Sequence, residues 1–378
     1  MSVYKLRLFN YSYFSLFAIF LSFLPLYLSA KGIPKTEIGM ILGAGGVIGI
    51  FSQPFWGIVC DKRKTIKRVL LAIIGVSIGL GVLLFQSSAT LPLVVLVGLM
   101  YFFFMPTDPL CESLNYQSAQ RYRVHYGSIR MYGAMGYATA SLIIGTVTNH
   151  FGISSIVYLF LGYGIVTFMT CITLDDVQAN QKPLRFRDLK RFLSQKTTLV
   201  FFMMVLIIAI PHRINDTYIG IYIERSGGNL QYVGYAWFIM TIIEVIFFAI
   251  VHRFQKPGNE LKIISIAGLF YAVRFFLTAV TNNPVLIVFL QLLQGVTFVF
   301  FYASSMQYLY SVIPDEWKAT GQTILAVLFF GVSGIIGSVA GGWVLDTLGG
   351  SALYKMMAML SAVGVILAMV IRRTGSRS

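Results

Sequence analysis

Apolar runs of about 20 residues recur along the whole chain and are separated by short polar segments. An α-helix of that length crosses the hydrocarbon core of a bilayer, and lipid offers an unpaired backbone no other hydrogen-bond partner. The pattern therefore predicts an all-α membrane protein with twelve transmembrane helices. Their predicted spans are residues 7–29, 37–59, 66–86, 92–117, 125–147, 153–174, 199–223, 231–252, 261–281, 284–310, 319–344 and 352–371.

The longest polar segment between predicted helices, residues 175–197, follows the sixth helix. It predicts two six-helix bundles, residues 1–174 and 198–378, joined by a cytoplasmic linker. Within the linker, residues 185–193 (RFRDLKRFL) have the pattern of an amphipathic helix that lies on a membrane surface.

Two octapeptides occupy matching places in the two halves. GTVTNHFG (residues 145–152) closes the fifth predicted helix and GWVLDTLG (residues 342–349) closes the eleventh. Parallel internal repeats of this kind are typical of transporters, so the match supports a two-bundle architecture.

Charge is scarce and unevenly placed. Hydrophobic residues make up 57% of the chain and charged residues only 11%, whereas a soluble protein carries about 25% charged residues. The net charge of +15 would suggest a nucleic-acid partner in a soluble protein. Here the Lys and Arg residues fill alternate loops, at 62–68 and 182–196, and the C-terminus, which indicates that these loops and both termini are cytoplasmic. We expect a multi-pass protein of the bacterial inner membrane, embedded in lipid as a monomer, without a nucleic-acid partner.

Glu112 and Arg130 are opposite charges in apolar surroundings on either side of a basic turn, with Arg121 midway between them. In an antiparallel helical hairpin both side chains lie at the same depth, roughly 10 to 14 Å inside the turn, and can meet. Charges at that depth face a protein interior or a water-filled cavity, so we expect a substrate site. The alternative is a structural ion pair that locks the two helices together. Asp108, one helical turn from Glu112, belongs to the same candidate site.

The second half also carries charges deep in predicted helices. Glu244 and Arg274 indicate either an inter-helix salt bridge or a proton-coupling site. Asp216 lies one turn from Arg213 and can pair with it, and it is a further proton-coupling candidate. Pro211, just before them, is expected to break or kink its helix.

The loop after the second predicted helix reads Gly57-Ile-Val-Cys-Asp61-Lys62-Arg63-Lys64. A glycine lets helices approach, and an Asp among cations at a helix end can form a cytoplasmic ion-pair latch. The stretch resembles the loop motif of the major facilitator superfamily, with Lys64 where that motif has its second glycine. The resemblance implies a conformational role for Gly57, Asp61, Lys62 and Arg63.

Within that superfamily, the segments PLCESL (109–114) and YGSIRMYG (126–133) resemble the branch that contains lactose permease and the phenylpropionate permease of enteric bacteria. The resemblance implies that Glu112 and Arg130 bind substrate, and it equates Glu244 and Arg274 with the branch's carboxylate on helix eight and arginine on helix nine.

The tenth predicted helix departs from that branch. Gln291 and Gln294 stand where lactose permease has a His and the Glu that carries the coupling proton. Because glutamine cannot titrate, proton coupling has either moved to Glu244, Asp216 or Glu112, or is absent. Both glutamines, with Asn10 on the first helix, are candidate substrate contacts.

These observations predict a secondary active transporter that takes up a small polar or aromatic metabolite (a sugar, nucleoside or aromatic acid) by alternating access, with proton symport. The alternative is a proton-antiport exporter of drugs or metabolites. An enzyme is disfavoured, because the sequence shows no zinc-ligand spacing and no nucleophile with a base partner. Cys60, Cys111 and Cys171 lack metal-site spacing, and no metal or cofactor is expected.

Overall fold

Twelve long helices run through the part of the chain that the structure, a computed structural model, describes: residues 3–87, 89–177, 196–313 and 318–375. Eleven of these are long and apolar enough to cross a membrane. The other, Gly127–Phe151, is 25 residues long and rich in Gly, Ala, Ser and Thr. The helices are α1 Val3–Ala30, α2 Lys35–Arg63, α3 Lys67–Gln86, α4 Thr90–Tyr122, α5 Gly127–Phe151, α6 Ile153–Ile172, α7 Lys196–Arg225, α8 Leu230–Arg253, α9 Glu260–Val280, α10 Pro284–Val312, α11 Gly321–Thr347 and α12 Gly349–Gly375.

Helix packing forms the two six-helix bundles that the sequence predicted. In the first half α1 packs on α5 and α6, α3 on α4 and α6, and α2 on α4. In the second half α7 packs on α11 and α12, and α9 packs on α10 and α12. Contacts between the halves run mainly along two seams, α2 with α11 and α5 with α8, and the second half of α1 makes a smaller contact with α7. The exact boundaries at 174 and 198 stay a prediction, and the amphipathic helix expected at 185–193 lies outside the described residues.

Several helices deviate from regular α geometry. π-helical turns occur at Ile19–Phe23, Gly295–Val299 and Val327–Val332. α4 is interrupted before Thr107, next to Pro106, which has no N–H to donate. The break considered at Pro211 does not occur, because α7 continues through that residue.

The two seams are closed at the helix ends that lie away from the basic loops. A Cβ atom on Gly39 would lie 2.2 Å from the Ser338 carbonyl oxygen across the α2–α11 seam, and one on Gly145 would lie 2.9 Å from the Gly234 Cα across the α5–α8 seam. Only glycine permits backbones to approach this closely.

The α2 face that touches α11 continues toward the basic end without a partner. Gln53 is exposed, and a Cβ on Gly57 would meet nothing within 4 Å. The close helix approach expected at Gly57 is therefore not made in this conformation. The bundles touch at one end and separate at the other, which opens the space between them on the side of the basic loops.

Candidate functional site

The hairpin of α4 and α5 brings Glu112 and Arg130 together. Arg130 Nε lies 2.7 Å from Glu112 Oε1. The Arg130 side chain is 39% exposed and the Glu112 side chain is 28% exposed. A fully buried structural pair would show no such exposure. The pair is therefore partly accessible to a ligand, as a binding site requires.

Aromatic side chains hold this pair in place. The Arg130 guanidinium lies over the Phe14 ring, 4.0 Å from its centroid, and Tyr126 donates its hydroxyl hydrogen to Glu112 Oε2. Both Glu112 oxygens thus have a donor. Among the described residues, no oxygen accepts a hydrogen bond from either Nη atom of Arg130, which leaves two donors in one plane for a ligand.

Asp108 lies in the first turn of the second segment of α4, directly after the interruption at Pro106. Its side chain is half-buried and within electrostatic range of Arg130 and Glu112. Asp108 therefore belongs to the same charged group, one turn deeper than Glu112.

Asn10 is not brought to this group. Its side chain is completely buried, and it exchanges two amide hydrogen bonds of 2.7 Å each with Asn115 on α4. Its donor also reaches the Leu6 carbonyl at 2.8 Å. In this conformation Asn10 fixes α1 against α4 and has little capacity left for a substrate.

In the second bundle, Arg274 is a completely buried cation without a carboxylate partner among the described residues. Its two Nη atoms donate to the side-chain oxygens of Gln291 and Gln294, and Nη1 also reaches Thr297 Oγ1 at 3.2 Å. The salt bridge considered between Arg274 and Glu244 is not formed, because the two glutamine oxygens already occupy the guanidinium.

Gln294 connects Arg274 to Glu244. Arginine can only donate, so the amide oxygen of Gln294 must face Arg274 and its amide nitrogen must face away. That nitrogen donates to Glu244 Oε1 at 2.9 Å. Gln291 and Gln294, expected to contact substrate, are 0% and 2% exposed and instead position Arg274. Among the described residues, no group donates to the other carboxylate oxygen of Glu244, Oε2.

Asp216 forms a second polar cluster on α7. Its Oδ2 lies 2.8 Å from Arg213 Nη1, the pair that the sequence spacing anticipated, and 3.4 Å from His212 Nε2. The other ring nitrogen of His212 lies 3.1 Å from the Tyr271 hydroxyl, and the ring stacks on Phe298 at 4.8 Å between centroids. His212 is thus a buried link between α7 and α9, which no sequence spacing indicated.

The charged groups of the two bundles act on one another. Glu244 on α8 interacts electrostatically with Asp216 and Arg274 of its own bundle and with Arg130 of the other. Between them, Tyr137 of α5 lies within electrostatic range of Glu244 and packs near the Trp237 ring, with centroids 6.0 Å apart. The charged candidate residues of the two halves therefore lie within electrostatic range of one another.

The expected latch around Asp61, Lys62 and Arg63 is not formed in this conformation: all three are exposed, and no ion pair involves them among the described residues. The loop between α2 and α3 is instead fixed by hydrogen bonds to the start of the linker. Asp176 accepts from Thr65 Oγ1 at 2.5 Å and from the Lys67 backbone N–H at 3.1 Å.

Asp175 makes a matching contact with the end of α4. The Tyr122 hydroxyl donates to Asp175 Oδ2 at 2.5 Å. Because this bond stabilises the ionised carboxylate, it holds the pKa of Asp175 below its ordinary value.

Comparison with known proteins agrees with the fold. Residues 3–356 match the model of the MFS_1 like family. The maltose permease of Geobacillus stearothermophilus is 23% identical, over 96% of this chain and 93% of the relative. The probable 3-phenylpropionic acid transporter of Escherichia coli (strain K12) is also 23% identical, over 94% of each chain.

A solved structure of the nucleoside transporter NupG superposes with a TM-score of 0.86 at 18% identity, covering 98% of both chains. The resemblance to the major facilitator superfamily, inferred from the loop after the second helix, is confirmed by these matches. The chain belongs to the MFS_1 like family and is a multi-pass membrane transporter, not an enzyme.

Proposed function

We propose that this protein is a secondary active carrier that takes up a small polar or aromatic metabolite by alternating access, coupled to proton symport. The observation that carries the proposal is the Glu112–Arg130 pair, half-exposed between two bundles that are closed at one end and open at the other. The proposed transport unit is a monomer, with both bundles and all candidate residues supplied by one chain.

The orientation of the carrier follows from its loops. The basic loops favour the cytoplasmic side, with both termini there. The opening between the bundles then faces the cytoplasm and the closed seams face outward.

Arg130 would anchor the substrate. Its two free Nη atoms suit a pair of neighbouring oxygens, either two hydroxyls or a carboxylate, and the buried Phe14 ring supports the guanidinium from its other side. The named relatives point to the same range of compounds, since they are a maltose permease, a probable 3-phenylpropionic acid transporter and a nucleoside transporter. The substrate is therefore a sugar, nucleoside or aromatic acid.

Glu244 would carry the coupling proton. Glu112 and Asp216 are each held in an ion pair with an arginine, whereas Glu244 accepts only a neutral amide hydrogen bond and has no cation in contact among the described residues. Protonation on Oε2 leaves the Gln294 bond at Oε1 intact. The fixed charge of Arg274 behind Gln294 then favours release of that proton when the cavity is rehydrated.

The proposal is tested in proteoliposomes that contain the purified carrier. Counterflow with maltose, uridine and 3-phenylpropionate identifies the substrate, and an imposed proton gradient then shows the coupling. Accumulation driven by inward proton movement supports symport. Substrate movement opposite to the proton gradient would make the protein an antiport exporter, and absence of any counterflow across a broad panel would remove the transport assignment of the site.

A further inference from the structure

The repeated octapeptides mark both closed seams. Gly145 of the first copy packs against Gly234 of α8, and Gly342 of the second copy packs so closely on α2 that a Cβ would lie 2.2 Å from the Lys35 carbonyl oxygen. The repeat therefore explains how each half approaches the other at the outer end. The copies differ at their fifth position, where the first has Asn149 and the second Asp346.

Asp346 caps a helix that belongs to the other bundle. Its Oδ2 accepts hydrogen bonds from the Thr36 backbone N–H at 2.6 Å and from Thr36 Oγ1 at 2.9 Å. Thr36 is the second residue of α2, where an N-cap side chain would normally accept. The N-cap residue of α2 is Pro34, which has no side-chain acceptor. The negative charge also complements the positive end of the α2 dipole.

The other seam has no such contact among the described residues. The N-terminus of α8 is capped within its own bundle, because Asn229 accepts from the backbone N–H groups of Gln231 and Tyr232 at 3.1 and 3.2 Å. That cap moves with α8 and survives whether the outer end is open or closed. The α2 cap survives only while α11 stays against α2.

We propose that Asp346 is an inter-bundle latch that selectively stabilises the conformation closed at the outer end. A contact shifts a conformational equilibrium only by its difference between the two states. The Asp346 cap is present in one state and absent in the other, whereas the Asn229 cap contributes equally to both. The inference rests on the proposed alternating access, since the outer end must open for the latch to matter.

The experiment measures outer opening directly, in the full chain in lipid nanodiscs. Ser141, completely buried at the α5–α8 seam, is replaced by Cys as a reporter that lies away from the latch. Its reaction rate with a water-soluble maleimide is proportional to the outer-open population. The native cysteines are buried, and the chain without the Ser141→Cys change serves as the blank. Spin labels at Leu91→Cys and Asn282→Cys report the same opening as a distance. Both positions are exposed on the outer side, Leu91 at the start of α4 in the first bundle and Asn282 just after α9 in the second.

Asp346→Ala is expected to raise the labelling rate about five-fold, the equilibrium equivalent of a typical N-cap contribution of about 1 kcal/mol. Asp346→Asn keeps an acceptor but loses the charge, so its labelling rate should lie between those of the chain with Asp346 and of Asp346→Ala. Asn229→Ala, the matched control, should lower the unfolding temperature without changing the rate. The latch would be refuted if Asp346→Ala left the labelling rate of the reporter chain unchanged. It would also be refuted if Asn229→Ala raised that rate as much as Asp346→Ala does.

A different result bears on the proposed function. If neither reporter shows outer opening in any variant, even with saturating substrate, alternating access itself fails. If the outer end opens but its open population does not change in the Asp346 variants, only the latch is refuted.

Discussion

Replacing Arg130 with Lys tests the assignment of the site most directly. Arg130 uses Nε for Glu112 at 2.7 Å, stacks on Phe14 at 4.0 Å and keeps both Nη atoms for a ligand. A lysine ammonium can keep the bond to Glu112, but it then lacks the planar pair of donors. The change removes at least one charge-assisted hydrogen bond to substrate, worth about 1.5–3 kcal/mol. The stack on Phe14 is made with and without substrate, so its loss should affect folding stability rather than kcat/KM.

The loss of about 1.5–3 kcal/mol corresponds to a fall of roughly 10- to 160-fold in kcat/KM for uptake. Initial uptake rates against substrate concentration, normalised to the amount of carrier in the vesicles, give this ratio. Arg121→Lys is the matched control, because Arg121 is exposed in the last turn of α4 and should tolerate the same change.

The unfolding temperature of Arg130→Lys separates lost binding from lost folding. Combining it with Glu112→Gln should cost much less than the two single effects added, since the residues act as a pair. Wild-type kcat/KM in Arg130→Lys would show that Arg130 is a structural residue only.

Three further outcomes are expected. Glu244→Gln should abolish uphill uptake but retain substrate exchange, because the new amide still accepts from Gln294 yet cannot titrate; unimpaired accumulation would contradict the coupling role. Gly342→Ala should prevent full closure of the α2–α11 seam and raise the labelling rate of the Ser141→Cys reporter at least about ten-fold. Gly162→Ala is the control and should leave that rate unchanged, because a Cβ at Gly162 would meet nothing within 4 Å. Tyr122→Phe should lower the unfolding temperature at pH 7, where the depressed pKa of Asp175 stabilises the fold. The difference should start to shrink near the ordinary Asp value of about 3.9 and be lost as the pH falls through the lowered pKa of the folded state. A difference independent of pH would exclude this origin.

The meeting of Glu112 and Arg130 was predictable because only the rise per residue and a short turn enter the argument. Two side chains placed symmetrically about the turn of a helical hairpin reach the same depth whatever surrounds them. The repeated octapeptides supported a two-bundle architecture, but neither the seams nor their partners on α2 and α8 were predicted from them.

The partners of Arg274 could not be obtained from the sequence. Which acceptor reaches the guanidinium depends on the rotation of α8, α9 and α10, and α10 changes from a 3-10 turn at Gln291–Leu293 to a π turn at Gly295–Val299. Each change shifts the phase of the side chains that follow, so extrapolation at 3.6 residues per turn fails there. Asn10 shows the same limit, because a helix that is apolar all round does not reveal which face meets the cavity.

The placement of Arg274 beside Gln291 and Gln294 has a consequence for biogenesis. An arginine at the centre of a lone helix costs about 2.5–3.5 kcal/mol during insertion by the translocon. Its acceptors lie in the next helix along the chain, just as Glu112 and Arg130 lie in neighbouring helices and Asp216 and Arg213 in one. Arg274 and these two ion pairs can therefore be compensated as soon as one helical hairpin has entered the membrane, whereas Glu244 on α8 must wait for Gln294 on α10.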